Sequence, residues 1–594
     1  MSEPISRRDL IKAAGAAAAV PLVGRGSRSP RGRPQGRILP LTSTSEVFVP
    51  PRGSGFQKFS FDFPEPSVEY EGLRFGFLVF SRENAYGLAA DRLSAEVDGG
   101  DLVVTGSELV WAGGQARAPG RVAARLRRNG DWIEWDVTAA MDQPIKAVTT
   151  VVRGVPRGRI SVGGGGGGAS DVHDDEVLIG YPFGAGDLFG GNTAWSAGTP
   201  LVIVQPEAGD CFFLSSLDDR VRAKRFFFQP GESGYRVECV FETEGWLDQR
   251  EVRVPTWRAG RAATVDAAAG PHFDHLEKAY RLPRFADRDD APPWLHETAL
   301  VVALHGMHCT GYVFNDYARM LEILQWVAAL VPPQRVLVFL PAWDGRYYWD
   351  YPVYRPAERL GGERGFVRLV REGQRLGFRF MPMFGANAAN RRQAVWPRVA
   401  DAATSKIDGD RFDLNWVDWD NDRHEEGWLS YMNLGVDSWR AWLTGRIAET
   451  IERYGVDAYF LDITGGWMNN PQADMHEGLR RLVTDLRTRH PQVLACGEFL
   501  YDALAAFLPL HQVYWPRLAP YVRAFSHLSH PAPGRGSSGV HESGFGRFDG
   551  DTLSLARREG LIPTLTVVDD TFTAHREVMA AVIRRAAEWA GIPG

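Results

Sequence analysis

Asp462 and Glu498 are the residues of this 594-residue chain whose settings come nearest to prescribing a reaction. Asp462 closes the apolar run Val456, Ala458, Tyr459, Phe460, Leu461, with Gly465 and Gly466 just behind it; Glu498 closes the run from Val493 to Cys496. Between them, Leu479, Leu482, Val483 and Leu486 recur at helical spacing. The unit reads strand, helix, strand, with a carboxylate ending each strand. In β/α folds the C-terminal strand ends form the functional face, so acids on consecutive strands look into one crevice. Two carboxylates on one pocket can cleave a glycosidic bond. One attacks the anomeric carbon while the other, protonated, donates to the leaving oxygen and then activates water. The short, rigidly aimed Asp462 suits the nucleophile, and Glu498, beside Phe499 and Tyr501, suits the acid/base. The inert alternative, a loop cap and a buried ion pair, requires both acids to reach that rim by coincidence.

Further residues fall at equivalent rim positions. The segment PAWDGRYYWDYPVYRP supplies Trp343, Asp344, Tyr348, Trp349 and Asp350, together with Arg346, Tyr347 and Tyr351. Aromatics stack on sugar faces and acids clamp hydroxyl pairs, so this is the expected sugar subsite, with internal packing as the alternative for its rings. His305, Asn387, Trp467, His527 and Asp569 complete the expected substrate-binding set, with His530 and Asp570 beside them. NWVDWDNDRHEEGWLSYMNLG is expected to lay further aromatics and acids over the cleft. A metal-dependent barrel hydrolase is the competing enzyme class, with His305, His308, His527, His530 and His541 as ligands. His305 and His308 are three apart, where alternate strand residues would be needed to point one way. A non-catalytic carbohydrate-binding protein is the third reading. No cofactor is expected. Chelator sensitivity separates the second reading, and loss of turnover with binding retained in Asp462→Ala excludes the third.

These residues need a scaffold, and the pattern supplies one in two parts. From 51 to 275 the text is short alternating runs broken by turns such as Asp98-Gly99-Gly100 and Asn129-Gly130, which predicts an antiparallel β-sandwich. Six glycines, Gly163 to Gly168, precede Asp171, His173, Asp174, Asp175 and Glu176; the reading there is a flexible loop with a weak calcium possibility. The Pro-rich, acidic stretch from Pro271 to Pro293 is expected to join the two parts. From 290 to 594 apolar strands alternate with amphipathic helices, which predicts a (β/α)₈ TIM barrel. Its strands are expected at 299–306, 335–343, 378–385, 458–464, 493–499, 522–528, weakly at 538–545, and at 563–570, with no domain after them. Ahead of both parts, Arg7-Arg8 before an Ala-rich apolar stretch predicts a twin-arginine signal peptide over 1–25 and export to the periplasm or beyond. Residues 26–50, rich in Arg, Pro, Ser and Gly, are expected to be a disordered spacer.

A net charge of -6 offers no basic face for a nucleic acid, and no apolar run is long enough for a stable membrane span. The expected partners are the twin-arginine export machinery and an oligosaccharide, polysaccharide or glycoconjugate substrate. Four cysteines fit no zinc spacing; Cys211 and Cys239 are a candidate disulfide.

A β-sandwich followed by a barrel, with Asp after strand four in GVDAYFLDIT and Glu after strand five in VLACGEF, resembles retaining glycoside hydrolases. The closest likeness is to the α-glycosidase families of the endo-α-N-acetylgalactosaminidase and α-amylase type. That resemblance implies Asp462 as nucleophile and Glu498 as acid/base. It covers the architecture broadly and only a few motif residues. Phe460 stands where the α-amylase pattern has Arg, and the β-domains those families carry after the barrel have no counterpart, which leaves the sugar and the linkage open.

Overall fold

The computed structural model describes residues 37–42, 45–49, 66–111, 116–162, 170–171, 177–182, 195–231, 234–308, 311–405, 409, 429–498, 500–513, 519–530 and 560–591. The chain divides into two compact units, with the break between Arg281 and Leu282.

The first unit is an antiparallel β-sandwich. One layer runs, strand beside strand, through Ser67–Tyr70, Leu73–Ser81, Ile145–Val155, Tyr235–Glu242, Lys224–Pro230 and Val177–Tyr181. The other runs through Leu93–Asp98, Asp101–Trp111, Arg117–Asn129, Trp132–Met141, Glu251–Ala262, Cys211–Ser216 and Leu201–Gln205. Period-two alternation sends one set of side chains between the layers. There Phe75 meets Trp135 edge-on at 5.4 Å, Phe226 meets Trp257 at 5.5 Å, and Trp135 Nε1 donates to Thr150 Oγ1.

Three expectations change in this unit. The stretch read as a spacer carries two strands, Arg37–Thr42 and Ser45–Val49, which pair with each other; the second also pairs with Ser67–Tyr70. Ile38, Leu39, Val47 and Phe48 are the apolar residues that a composition average over Arg, Pro and Ser obscures. Cys211 and Cys239 are free thiols on strands of opposite layers, so there is no disulfide between them. The joining stretch begins inside a helix, Val265–Ala279, where Thr264 caps Ala267 N and His272, Phe273 and Leu276 are buried despite Pro271. The glycine run, and the acidic residues after it save Asp171, lie outside the described residues.

The second unit is a closed barrel of eight parallel strands: Leu300–Leu304, Val336–Leu340, Arg379–Gly385, Ala458–Asp462, Leu494–Glu498, Leu510–Gln512, His527–His530 and Ile562–Val567. Each pairs with the next, and the eighth returns to the first through Val301 and Thr564. Helices Tyr317–Ala328, Gly362–Leu376, Asp437–Tyr454, Met475–Arg489 and Arg576–Trp589 bury apolar stripes against it. Strand six differs from expectation. It is the three-residue Leu510–Gln512, too short and polar to show a period, and the run expected as sixth, 522–528, leads into strand seven. The stretch 538–545, expected as strand seven, lies outside the described residues. Asp457 fixes strand four against strand three, accepting from Phe380 N and Arg379 Nη1, each at 3.0 Å.

Candidate active site

Alternation along strand four sets the aim of Asp462. Phe460 points into the barrel, where its ring lies 4.5 Å from that of Phe339, and two residues on Asp462 points the same way at the C-terminal mouth. Glu498 ends the neighbouring strand, above the buried Cys496. Asp462 is 2% exposed and Glu498 7%, and the two carboxyls hydrogen-bond each other.

A short chain of contacts builds this. Ile463 has a left-handed backbone, φ 60°, a strained state for a β-branched residue. The turn it makes aims its N–H at Glu498 Oε2, at 2.8 Å. The next two residues close on the same glutamate, since Thr464 Oγ1 and Gly465 N both donate to its carbonyl at 2.8 Å. Asn387 ties the turn down from strand three, donating to Ile463 O at 2.9 Å and Tyr431 Oη at 3.1 Å, and Tyr431 in turn donates to Gly466 O.

Burial, the charge of Glu498 and the bond to it push the Asp462 carboxyl well above the usual range, and a hydrogen bond from Tyr348 opposes them. Two neighbouring buried acids cannot both ionise at low cost, which favours one proton shared by the pair. Among the described residues, none hydrogen-bonds to Asp462 Oδ2.

The loop after strand two closes over the pair. Tyr347 Oη donates to Tyr348 Oη at 3.0 Å, and Tyr351 is 1% exposed with its hydroxyl unpartnered among the described residues. Strand three admits that ring because it ends in Gly385, where a Cβ would stand 2.4 Å from Tyr351. Tyr354 Oη both accepts from Gly385 N and donates to Gly385 O. Asp350 accepts from Arg346 N at 2.7 Å, and Arg346 lies over the half-buried Trp349. Burial pushes the Asp344 carboxyl up to about 8, with its Oδ2 unpartnered among the described residues. His305 ends strand one with neither ring nitrogen hydrogen-bonded among the described residues and its ring 5.4 Å from Tyr347; burial holds it down at about 3, so it is neutral. Trp467 is 2% exposed, and no described residue accepts from its indole N–H.

Three of the expected sugar contacts are corrected. Trp343 faces the helix layer, stacked 4.8 Å from Phe366 with Nε1 donating to Met383 O, because its strand turns before the side chain can reach the mouth. His527 is the first residue of strand seven, not its last; it sits at the opposite end of the barrel against Phe285, 4.9 Å away. The misplacement follows from the missed strand six. Asn387 is at the mouth, but its amide N–H groups are taken by the turn it holds. The backbone of Asp569 opens a helix directly after strand eight. Most of the loop from Asn415 to Gly435 lies outside the described residues. Tyr431, Ile463 and Gly385 were missed as site builders; the doublet Gly465-Gly466 was the only local sign of the sharp turn. Among the described residues, no group of three or more His, Cys, Asp and Glu side chains is placed to hold a metal ion, and His527 stands apart from His305 and His308 at the far end.

The two units define a class by fold, a β-sandwich with a (β/α)₈ barrel whose strand ends four and five carry the acids. Solved structures of α-N-acetylgalactosaminidase NagBb from Bifidobacterium bifidum share the fold over 93% of this chain and 92% of theirs. The TM-score is 0.65 for the Gal-NHAc-DNJ complex at 14% identity, 0.63 for the ligand-free form at 13%, and 0.62 for the GalNAc complex at 14%. At this identity the likeness is one of fold. No curated protein matches the chain in sequence. Residues 4–24 match the twin-arginine translocation (TAT) pathway signal sequence, so the protein is exported by that route to the periplasm or the extracellular space. No helix among the described residues is long and apolar enough to cross a membrane.

Proposed function

We propose that this exported protein is a retaining glycoside hydrolase, with Asp462 as nucleophile and Glu498 as acid/base. The carrying observation is the hydrogen-bonded pair of buried carboxyls at the ends of adjacent barrel strands, with no Lys or Arg of the described residues acting on Asp462. Asp462 Oδ2 attacks the anomeric carbon as Glu498 protonates the departing oxygen, forming a glycosyl ester. Glu498 then takes a proton from water, which releases the sugar and restores the pair. Glu498 Oε2 accepts the Ile463 N–H and is a poor place for a proton, so Oε1 carries it. Carboxyls close enough to interact through a hydrogen bond are nearer the short separation of a retaining pair than the wider gap that inversion needs, which favours retention. The substrate is an oligosaccharide or glycoconjugate. α-N-Acetylgalactosaminides are the first choice, because NagBb is named for that activity and shares the fold over nearly all of both chains.

The test is turnover of 4-nitrophenyl α-N-acetylgalactosaminide, with aryl α- and β-glycosides of other sugars beside it and a chelator arm, followed by proton NMR of the first anomer formed. Retention and loss of turnover in Asp462→Asn are expected. An inverted product would make Asp462 a base, and turnover abolished by chelator would return the reaction to a metal.

A further inference from the structure

Tyr348 departs from what a sugar platform requires. Its backbone is left-handed, φ 62°, a state a bulky residue keeps only where its surroundings fix it. The turn folds two consecutive phenols together: the rings of Tyr347 and Tyr348 lie 3.9 Å apart, and Tyr347 Oη donates to Tyr348 Oη at 3.0 Å. Tyr348 thus receives one hydrogen bond and has its own proton for Asp462, to which it bonds. A hydroxyl that accepts a bond donates the next one more strongly. Both rings are nearly closed to solvent, at 7% and 9% exposure, so they present little face on which a sugar could stack.

We infer that Tyr347 and Tyr348 form a donor relay that positions the Asp462 carboxylate, occupying one oxygen so that the other, Oδ2, is presented to the substrate. The inference rests on Asp462 as nucleophile and gives Tyr348 a positioning role in place of the sugar contact expected from its loop. The groups facing Asp462 are Glu498 from strand five, Tyr351 and Tyr354 from the same loop, and Tyr431 from the segment between strands three and four. Burial keeps these three tyrosines protonated, so Glu498 is the acid that shares a proton with Asp462, and Tyr348 supplies the bond that stabilises a charge on Asp462.

Titration of Asp462 itself tests the relay without a substrate. It is read by pH-difference infrared spectroscopy of the carboxyl stretch in protein carrying 13C-labelled aspartate, with Asp462→Asn assigning the band. Removing the donor destabilises the charged form. Tyr348→Phe is therefore expected to move the titration to higher pH, and Tyr347→Phe to move it the same way by less. If Tyr348→Phe does not fold, Tyr347→Phe decides alone. On the aryl glycoside the acid limb of kcat/KM is expected to move with the titration, and kcat to fall about 10- to 100-fold, as for loss of a charge-assisted hydrogen bond. A titration unmoved in the variants overturns the relay, even if activity falls, and assigns the tyrosines to packing. Full activity in Asp462→Asn overturns the nucleophile assignment and the relay's purpose with it; the infrared result distinguishes the two failures.

Discussion

Each unit of the molecule buries an aspartate almost completely, and the two are treated in opposite ways. Asp218 in the sandwich unit is 1% exposed, and Asp462 in the barrel is 2%. Asp218 receives Lys224 Nζ at 2.7 Å and two bonds from Arg222, at 2.9 and 2.6 Å. Burial pushes its pKa up, but the charge of Lys224 and the bonds and charge of Arg222 outweigh it and hold the carboxyl below its usual range. Lys224 is itself fully buried, with its other bonds going to Arg220 O and Arg222 O. Asp462 has the same burial with another acid for a neighbour, and its pKa goes up. A buried acid given its counter-ions holds a fold together; a buried acid given a second acid stores unfavourable energy that a reaction can use. Charge partners, not burial, separate the acid whose pKa is lowered from the one proposed as nucleophile.

Substituting Asp462 breaks the comparison most sharply. Asp462→Asn is expected to cut kcat/KM by at least about 10³-fold, the scale for a nucleophile acting within a unit, and also to raise the melting temperature at neutral pH. The sign follows from the raised pKa. The stability Asp462 contributes is fully present below its unfolded value, about 4, and is lost as pH rises through the raised value. The amide escapes that loss. Calorimetry at pH 7 and pH 4 checks it: the gain is larger at pH 7, and a lower melting temperature at pH 7 would mean that the pair is structural.

Removing the cation from the sandwich site should do the reverse. Lys224→Met leaves Asp218 short of one counter-ion and is expected to cost about 3–5 kcal/mol in denaturant unfolding. Pairing it with Asp218→Leu should recover much of that. If the single change were neutral, the contrast between the two sites would fail.

Gly385→Ala sharpens the view from the barrel side. Its methyl would meet the Tyr351 ring at 2.4 Å, costing about 1–3 kcal/mol of stability and lowering kcat/KM through the displaced loop. The smallest effect is expected at the half-exposed Trp349. Trp349→Ala should change stability by no more than about 1 kcal/mol while raising KM, if that ring contacts sugar; a large melting loss with unchanged kinetics would show that it packs.

Local pattern determined a good deal of this protein. Alternation and the turn dipeptides marked the sandwich strands, and an apolar run stopping at a charged residue marked strands four and five, because a strand's interior must be apolar while its mouth need not be. The paired arginines before an apolar stretch are read by export machinery as a linear sequence, so they needed no fold to be recognised. The tertiary structure decided what no period encodes. Leu510–Gln512 is a strand only because strands five and seven flank it, and its absence from the pattern is what put His527 at the wrong end of the barrel. Trp343 and Tyr348 share one aromatic loop, yet one turns to the helix layer and the other to Asp462, since the left-handed backbone at Tyr348 and the space above Gly385 exist only once the loop is folded. The shared proton has the same origin. Asp462 and Glu498 lie thirty-six residues apart in the chain, and their contact, with the raised pKa it causes, is a property of two adjacent strand ends closed off from water.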